Sequence, residues 1–258
     1  MSLAHADTIA GLVKGLAVLE SFDTERQRLN ATQAAQRAGL TRAAARRHLL
    51  TLAHLGYLES DGHFFWLGAR ALRLAGAYLA SSRLPRLIQP VLNRLAAATP
   101  DVYSAVVLDD TEVVIIARSV GLVVPGPRLL AYGMHLGARL PAHATSTGRL
   151  LLAALPRAEL AAWLARHEAL PRLTAHTVTG VPAFKSLLAQ IGSQDWAMAS
   201  EEHELGVHAV AVPLRSAQGA TVAALNVIVT AERFSPQLVE RELLPNLREA
   251  ARELRQIL

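Results

Sequence analysis

Read as a pattern of apolar and polar positions, the start of the chain predicts three short helices followed by a hairpin. In "LVKGLAVLESF" the apolar residues Leu12, Leu16, Leu19 and Phe22 recur at the spacing of a one-sided helix. "ATQAAQRAG" reads as a second helix that stops at Gly39. Thr41 can then cap a third helix running to about Leu55, with Gly56 as its C-terminal stop. In "YLESDGHFFWL" the pair Asp61-Gly62 is a two-residue hairpin signal between strand-like runs. Three helices and a hairpin in this order form the outline of a winged helix-turn-helix.

"ARALRLAGAYLASS" continues from Ala69 as a further helix that could join this block to the rest, and Pro85 opens the next segment. Beyond it the periodicity alternates. "VYSAVVLDDTEVVIIARS" carries two apolar runs around Asp109-Asp110, and "AVAVPLRSAQGATVAALNVIV" carries two around Ser216 to Gly219, so both read as hairpins. Helices are expected near 84–98, 146–154, 157–167 and 182–191, and from Pro236 to the end, where Ser235 before Pro236 is a good helix start. Hairpins mixed with helices indicate an α+β domain in which helices cover an antiparallel sheet. The expected division is 1–68 for the winged helix-turn-helix, 69–83 for a linker helix and 84–258 for the second domain.

Composition narrows the class. With 258 residues, 52% of them hydrophobic, the chain has material for two packed domains and is not a disordered one. No apolar run reaches the roughly 18 to 20 residues of a membrane span; "LLLAALPRAELAAWLARHEAL" is cut by Pro156, Arg157 and Glu159. The N-terminus, with His5 and Asp7, lacks the order of a signal peptide, and a chain with no cysteine has no disulfide, thiolate metal site or thiol nucleophile, which fits the cytoplasm. A net charge of +5, carried mostly by arginine, permits an anionic partner without requiring one.

The arginines gain meaning from where they fall. On a helix turning about 100° per residue, Ala45, Leu49, Leu52 and Leu55 share one side while Arg42, Arg46 and Arg47 share the other. Leu50 lies inside the arginine sector and is expected to pack beneath a neighbouring element. A solvated basic face is the alternative for an isolated helix, but here a short helix, a Gly39 turn, a Thr41 cap and a wing surround it in the order of a DNA reader. Thr41 can donate to a phosphate, Arg42 and Arg46 suit guanine or phosphate, and Arg47 suits the backbone. His63 on the wing and Lys14 could add contacts.

In the second domain, "LPAHATSTGRLLLA" brings His143, Thr145, Ser146 and Thr147 together just before an apolar helix, a place suited to a carboxylate. A simple helix cap by Thr145 or Ser146 is the alternative. Asn226 interrupts the apolar strand "TVAALNVIV" on the face of Val222, Ala224 and Ile228, and a buried amide there needs backbone or ligand as a partner. His208, Arg118, Arg128 and Arg139 are further candidate partners for an anion. An enzyme has little support. No G-x-S-x-G, P-loop or G-x-G-x-x-G motif is present, and Ser146 with His143 as nucleophile and base has no carboxylate placed to orient the histidine. Glu201, Glu202, His203, Glu204 and His208 have residue types that suit zinc, but their spacing matches no compact ligand motif, and no metal or other cofactor is assigned.

"GLTRAAARRHLLTLAHLGYL" resembles the recognition segment of IclR-type transcriptional regulators, in particular the branch controlling protocatechuate, β-ketoadipate and 4-hydroxybenzoate catabolism. The resemblance runs nearly the whole chain, through "LVKGLAVLESF", "GARLPAHATSTGRLLLA", "EEHELGVHAVAVPL", "AALNV" and "LLPNLREAARELRQIL". It implies a GAF-like effector domain, with 143–147 at the edge of the pocket and the Asn226 strand lining it. It also implies a homo-oligomer, at least a dimer, reading a pseudo-palindromic operator, often as an activator, with RNA polymerase as a further partner. The implied effector is a small aromatic carboxylate, 4-hydroxybenzoate and then protocatechuate, with β-ketoadipate or pyruvate as the alternative class. The segment 200–209 departs from the branch: Ser200 stands where an aspartate is common, and Val207-His208-Ala209 where Leu-Arg-Ser is usual, so His208 could replace the lost positive charge.

Overall fold

The computed structural model describes residues 7–23, 26–119, 135–167 and 169–258. It divides into two compact units, Met1–Ser81 and Ser82–Leu258. Arg128 lies outside the described residues.

In the first unit, α1 (Ala10–Leu19), α2 (Ala31–Arg37) and α3 (Arg42–His54) precede an antiparallel hairpin of β1 (Leu58–Ser60) and β2 (Phe65–Leu67). Side chains fix the helix starts. Asn30 accepts from the N–H groups of Thr32 and Gln33 while Gln33 reaches back to the Asn30 N–H, closing a capping box on α2. Thr41 Oγ1 accepts from the Ala44 N–H, 3.3 Å, at the head of α3. Gly39 takes φ +63° between the two helices, a conformation glycine adopts without steric cost. Val18, Phe22, Leu29, Ala34, Ala45, Leu49, Leu58 and Phe65 form the core. A 3₁₀ turn at Ala69–Ala71 leads into α4 (Leu72–Ser81).

Four details differ from the pattern reading. The buried side of α1 is Val18 with Phe22, whereas Leu12 and Leu16 face outward. Leu50 does not pack beneath a neighbour; it is 43% exposed, because the core contacts of α3 are made by Ala45 and Leu49. Leu55 is exposed too, since the helix ends at His54 and Leu55 is its C-cap. The hairpin bend centres on Gly62-His63, one residue later than Asp61-Gly62. The Asp61 side chain is engaged, accepting from the N–H groups of His63 and Phe64 at 3.0 and 2.8 Å, while its own N–H donates to the Phe64 carbonyl.

The second unit holds six antiparallel strands in the order β5-β4-β3-β8-β7-β6. These are β3 (Val102–Asp109), β4 (Glu112–Arg118), β5 (Arg139–Pro141), β6 (Ala197–Ser200), β7 (Val207–Arg215) and β8 (Thr221–Thr230). Both expected hairpins are present, and short β5 and β6 extend the sheet at its two edges. Side chains alternate between two cores. Ile88, Val91 and Leu92 of α5 (Arg83–Ala98) and Leu247, Ala250 and Leu254 of α10 (Leu244–Arg255) pack with Val210, Val212, Leu225 and Val227 on one face. Leu150 and Leu152 of α6 (Ser146–Ala153), Trp163 of α7 (Arg157–Ala165) and Phe184 and Leu188 of α8 (Val181–Gln194) pack with Val106, Ile115, Ala211, Ala224 and Ile228 on the other.

The terminal helix is not continuous α-helix. Ser235 Oγ accepts from the Leu238 N–H at 3.1 Å to start α9 (Pro236–Leu238), and a π-helical turn at Val239–Leu243 precedes α10. Pro245 in the first turn of α10 has no N–H to offer the carbonyl four residues back, which favours local widening of the helix at this point.

Candidate functional site

Two surfaces carry the chemistry. On the first unit, Thr41, Arg42, Arg46 and Arg47 are exposed along one side of α3. Arg28 and Arg37 are bound by Asp61 and Asp23, but Arg42, Arg46 and Arg47 have no acidic partner among the described residues. Their positive charge is uncompensated, as phosphate binding requires. Leu50 shares this side and adds an apolar group of the kind that contacts a thymine methyl. His63 is exposed at the tip of the wing. The wing is held in place by the Arg28–Asp61 ion pair, by Arg28 stacked 4.6 Å from the Trp66 ring centre, and by the bridge between Leu29 and Phe65. Lys14 is exposed on α1.

In the second unit a cavity lies between the start of α6, one sheet face and the turn 202–204. Its volume is about 40 Å³ of space open to the centre of a water-sized sphere, where a single water needs roughly 10–15 Å³. Val106, Ile115, Leu140, Val207 and Ile228 supply an apolar wall, Thr145, Ser146, Thr147, Asn226, Ser104 and His203 supply neutral polar groups, and Glu202 and Glu204 line it at the turn. The start of α6 shapes one end. Thr145 caps the helix, accepting from the Gly148 N–H and donating to the Pro141 carbonyl, each at 3.2 Å. The first-turn N–H groups of Ser146 and Thr147 have no intrahelical acceptor, and a helix N-terminus favours negative charge. Ser146 is 1% exposed, and its hydroxyl is buried on the cavity wall with no hydrogen-bond partner.

The other sequence candidates separate. His143 does not line the cavity: its Nε2 lies 2.9 Å from the Pro171 carbonyl oxygen, and burial holds its pKa below the usual histidine range. This removes it as a base for Ser146, whose hydroxyl it does not bond. His208 is on the opposite face of the sheet. Counting in twos from Val207, which lines the cavity, puts His208 with Val210 and Val212, where it stacks on Phe234 at 4.0 Å between ring centres. It therefore cannot replace a charge in this cavity. Asn226 does line it, but its Oδ1 accepts from the Ser104 hydroxyl at 2.5 Å, a side-chain partner that neither the backbone nor the ligand alternative anticipated. Arg118 and Arg139 do not line the cavity; Arg139 is paired with Glu112.

Pairing between distant segments placed three features beyond the reach of sequence reasoning. Arg149, 1% exposed, forms a two-pronged ion pair with Glu202 and donates through Nε to the His143 carbonyl at 2.7 Å. It locks α6 to the turn that closes the cavity, and its charge is spent inside the protein. Ser104, paired with Asn226 across neighbouring strands, is the second. The third is His203, whose Nδ1 is buried on the cavity wall without a partner. Glu201 accepts from the Gly206 N–H at 2.9 Å, and no cluster of three or more His, Asp or Glu that could hold a metal occurs among the described residues.

A winged helix-turn-helix with an arginine-faced third helix, joined in one chain to a domain holding an apolar-walled cavity with polar groups at one end, defines a ligand-responsive DNA-binding regulator. Residues 11–62 match the family model of the IclR helix-turn-helix domain, and residues 76–256 match that of the bacterial transcriptional regulator IclR C-terminal domain. The chain belongs to the IclR family of transcriptional regulators and is not an enzyme. It is 50% identical over 256 residues to the Pca operon regulatory protein of Acinetobacter baylyi, covering 99% of this chain and 91% of that protein. It is 49% identical over 251 residues to the p-hydroxybenzoate hydroxylase transcriptional activator of the same organism, covering 97% and 92%. The crystal structure of a double mutant of the PobR inducer-binding domain from Acinetobacter, in complex with 3-hydroxybenzoic acid, superposes with a TM-score of 0.62 at 45% identity, covering 69% of this chain and all of that one.

Proposed function

We propose that the chain regulates transcription of an aromatic-acid catabolic operon, and that its effector is a small aromatic carboxylate, 4-hydroxybenzoate first and protocatechuate next. The observation that carries this is the buried, unpartnered Ser146 hydroxyl at the N-terminus of α6, facing a cavity with an apolar wall. A carboxylate set there accepts from Ser146 and the first-turn N–H groups, while the ring lies against Val106, Ile115 and Ile228. Thr145, Thr147 and Asn226 shape the same site. The names of the two Acinetobacter baylyi relatives and the 3-hydroxybenzoic acid complex of the inducer-binding domain support the same ligand class.

On the DNA side, Arg42 and Arg46 read guanine or phosphate, Thr41 and Arg47 hold the backbone, and His63 contacts the duplex from the wing. The chain works as a homo-oligomer, at least a dimer, on a pseudo-palindromic operator. The exposed apolar stripe of Leu12, Val13 and Leu16 on α1, with Ile9 at its N-cap, supports self-association. It acts in the cytoplasm, with RNA polymerase as a partner in activation; no helix among the described residues is long and apolar enough to cross a membrane.

Isothermal titration of the purified chain with 4-hydroxybenzoate, protocatechuate, β-ketoadipate and pyruvate tests the effector. Saturable binding of the aromatic acids and not of the aliphatic ones is expected. Selective binding of β-ketoadipate or pyruvate would overturn it.

A further inference from the structure

We infer that His203 selects effectors carrying a ring hydroxyl, its Nδ1 accepting the hydroxyl proton of the bound aromatic acid. The inference rests on the aromatic-carboxylate reading of the cavity and adds to it the group that distinguishes one aromatic acid from another.

Buried polar atoms in native proteins have partners, and each exception asks for one. Two such exceptions, Ser146 Oγ and His203 Nδ1, lie on the wall of this one cavity. They ask for different things. Ser146 has a proton to donate, and its place at the start of α6 suits an acceptor, the carboxylate. His203 is held neutral at pH 7 because burial lowers its pKa, with His143 adding to the effect and Glu204 opposing it. A neutral imidazole carries one proton. Nε2 is not one of the buried atoms lacking a partner, so a proton on Nε2 leaves no orphaned buried donor, and we take this tautomer, in which Nδ1 is the acceptor in the cavity.

An ionised carboxylate brings no proton to such an acceptor, whereas a phenolic hydroxyl, with a pKa of about 10, does. Other polar groups on the wall are engaged: Asn226 Oδ1 takes the Ser104 proton, Glu202 is paired with Arg149, and Glu204 has a partner of its own. The cavity thus holds a donor set for one end of a hydroxybenzoate and a waiting acceptor for its hydroxyl. An analogue without the hydroxyl leaves Nδ1 buried and unpaired, which is how sites built to bond a hydroxyl reject its absence.

The test is calorimetric titration of the full chain with 4-hydroxybenzoate and with 4-fluorobenzoate, which keeps the carboxylate and nearly the size but has no proton to give. Wild-type protein should prefer the hydroxy acid by roughly tenfold or more. His203→Leu should bring the two affinities within about twofold by weakening the hydroxy acid alone, and His203→Gln, whose Oε1 accepts, should restore part of the preference. Equal binding of both ligands by the wild type would overturn the inference without any substitution. So would an unchanged ratio in His203→Leu, or a parallel fall of both affinities, which would assign His203 to the carboxylate or to the fold. If the wild type binds neither acid, the aromatic-carboxylate reading falls as well.

Discussion

Gly148 offers a substitution whose sign depends on the packing described for α6. A β-carbon built on Gly148 would stand 2.3 Å from both the Cα and the carbonyl oxygen of Ala142, where ordinary contact begins near 3.4 Å. The atoms it meets are backbone, belonging to the 3₁₀ turn Ala142–Ala144, so no side chain can swing aside. Helix propensity favours Gly148→Ala by about 1 kcal/mol, while overpacking of this kind costs about 1–3 kcal/mol and occasionally more. With the contact more than 1 Å too short against two backbone atoms, the upper end applies, and a net loss of roughly 2 kcal/mol follows. Trp163 and Trp196 lie in the second unit, so urea unfolding followed by tryptophan fluorescence in a Trp66→Phe background reports this unit. The same shift carries Thr145, Ser146 and Thr147 with it, and affinity for 4-hydroxybenzoate should fall roughly tenfold or more as hydrogen bonds lose their geometry. A variant that unfolds at higher urea than its parent, as helix propensity alone would give, refutes the close packing of α6 on the turn.

Arg46→Ala should weaken binding to a selected operator by about 1–3 kcal/mol and, if the contact is to phosphate, lower the salt slope by about one; fluorescence anisotropy at several salt concentrations reads both, and unchanged affinity and specificity would take Arg46 off the reading surface. Ser146→Ala combined with Asn226→Ala should weaken effector binding while leaving DNA affinity nearly unchanged; normal effector affinity by calorimetry would put the pocket elsewhere. Acid should destabilise the second unit. Burial lowers the pKa values of His143, His203 and His208 in the folded state, so their neutral forms support folding fully above the unfolded value of about 6.5, and that support is lost as pH falls below it. The tryptophan-detected urea midpoint should drop between about pH 7.5 and 5.5, and a midpoint that rises on acidification contradicts the assignment.

The elements legible in the sequence were those defined by local signals. The Thr41 and Ser235 caps, the Gly39 turn and the apolar runs on either side of Asp109-Asp110 each mark a boundary through bonds made within a few residues. What escaped was set by distant pairing. Leu50 falls in the arginine sector of α3, and only its apolar side chain suggests burial beneath a neighbour, yet burial depends on which residues pack, and Ala45 and Leu49 take that role. His208 shares a charged segment with Glu202 and His203, but strand alternation turns it to the other face of the sheet, against Phe234. Arg149 reads as a polar interruption of "GRLLLA", and its ion pair with Glu202 joins residues 53 positions apart. The same pairing closes the cavity around His203, a residue that the sequence offered only as one of a group with zinc-compatible chemistry. Ser146 and Asn226 were legible as residues that line the cavity because a helix start and an amide within an apolar strand are both visible locally.

Coupling of an aromatic carboxylate to transcription through one chain can be read by in vitro transcription from a promoter fragment that the chain binds, with and without 4-hydroxybenzoate. Saturating 4-hydroxybenzoate should change the transcript yield, and Ser146→Ala with Asn226→Ala should abolish the change while the promoter stays bound. A yield indifferent to the aromatic acid, from a promoter the wild-type chain occupies, would contradict it.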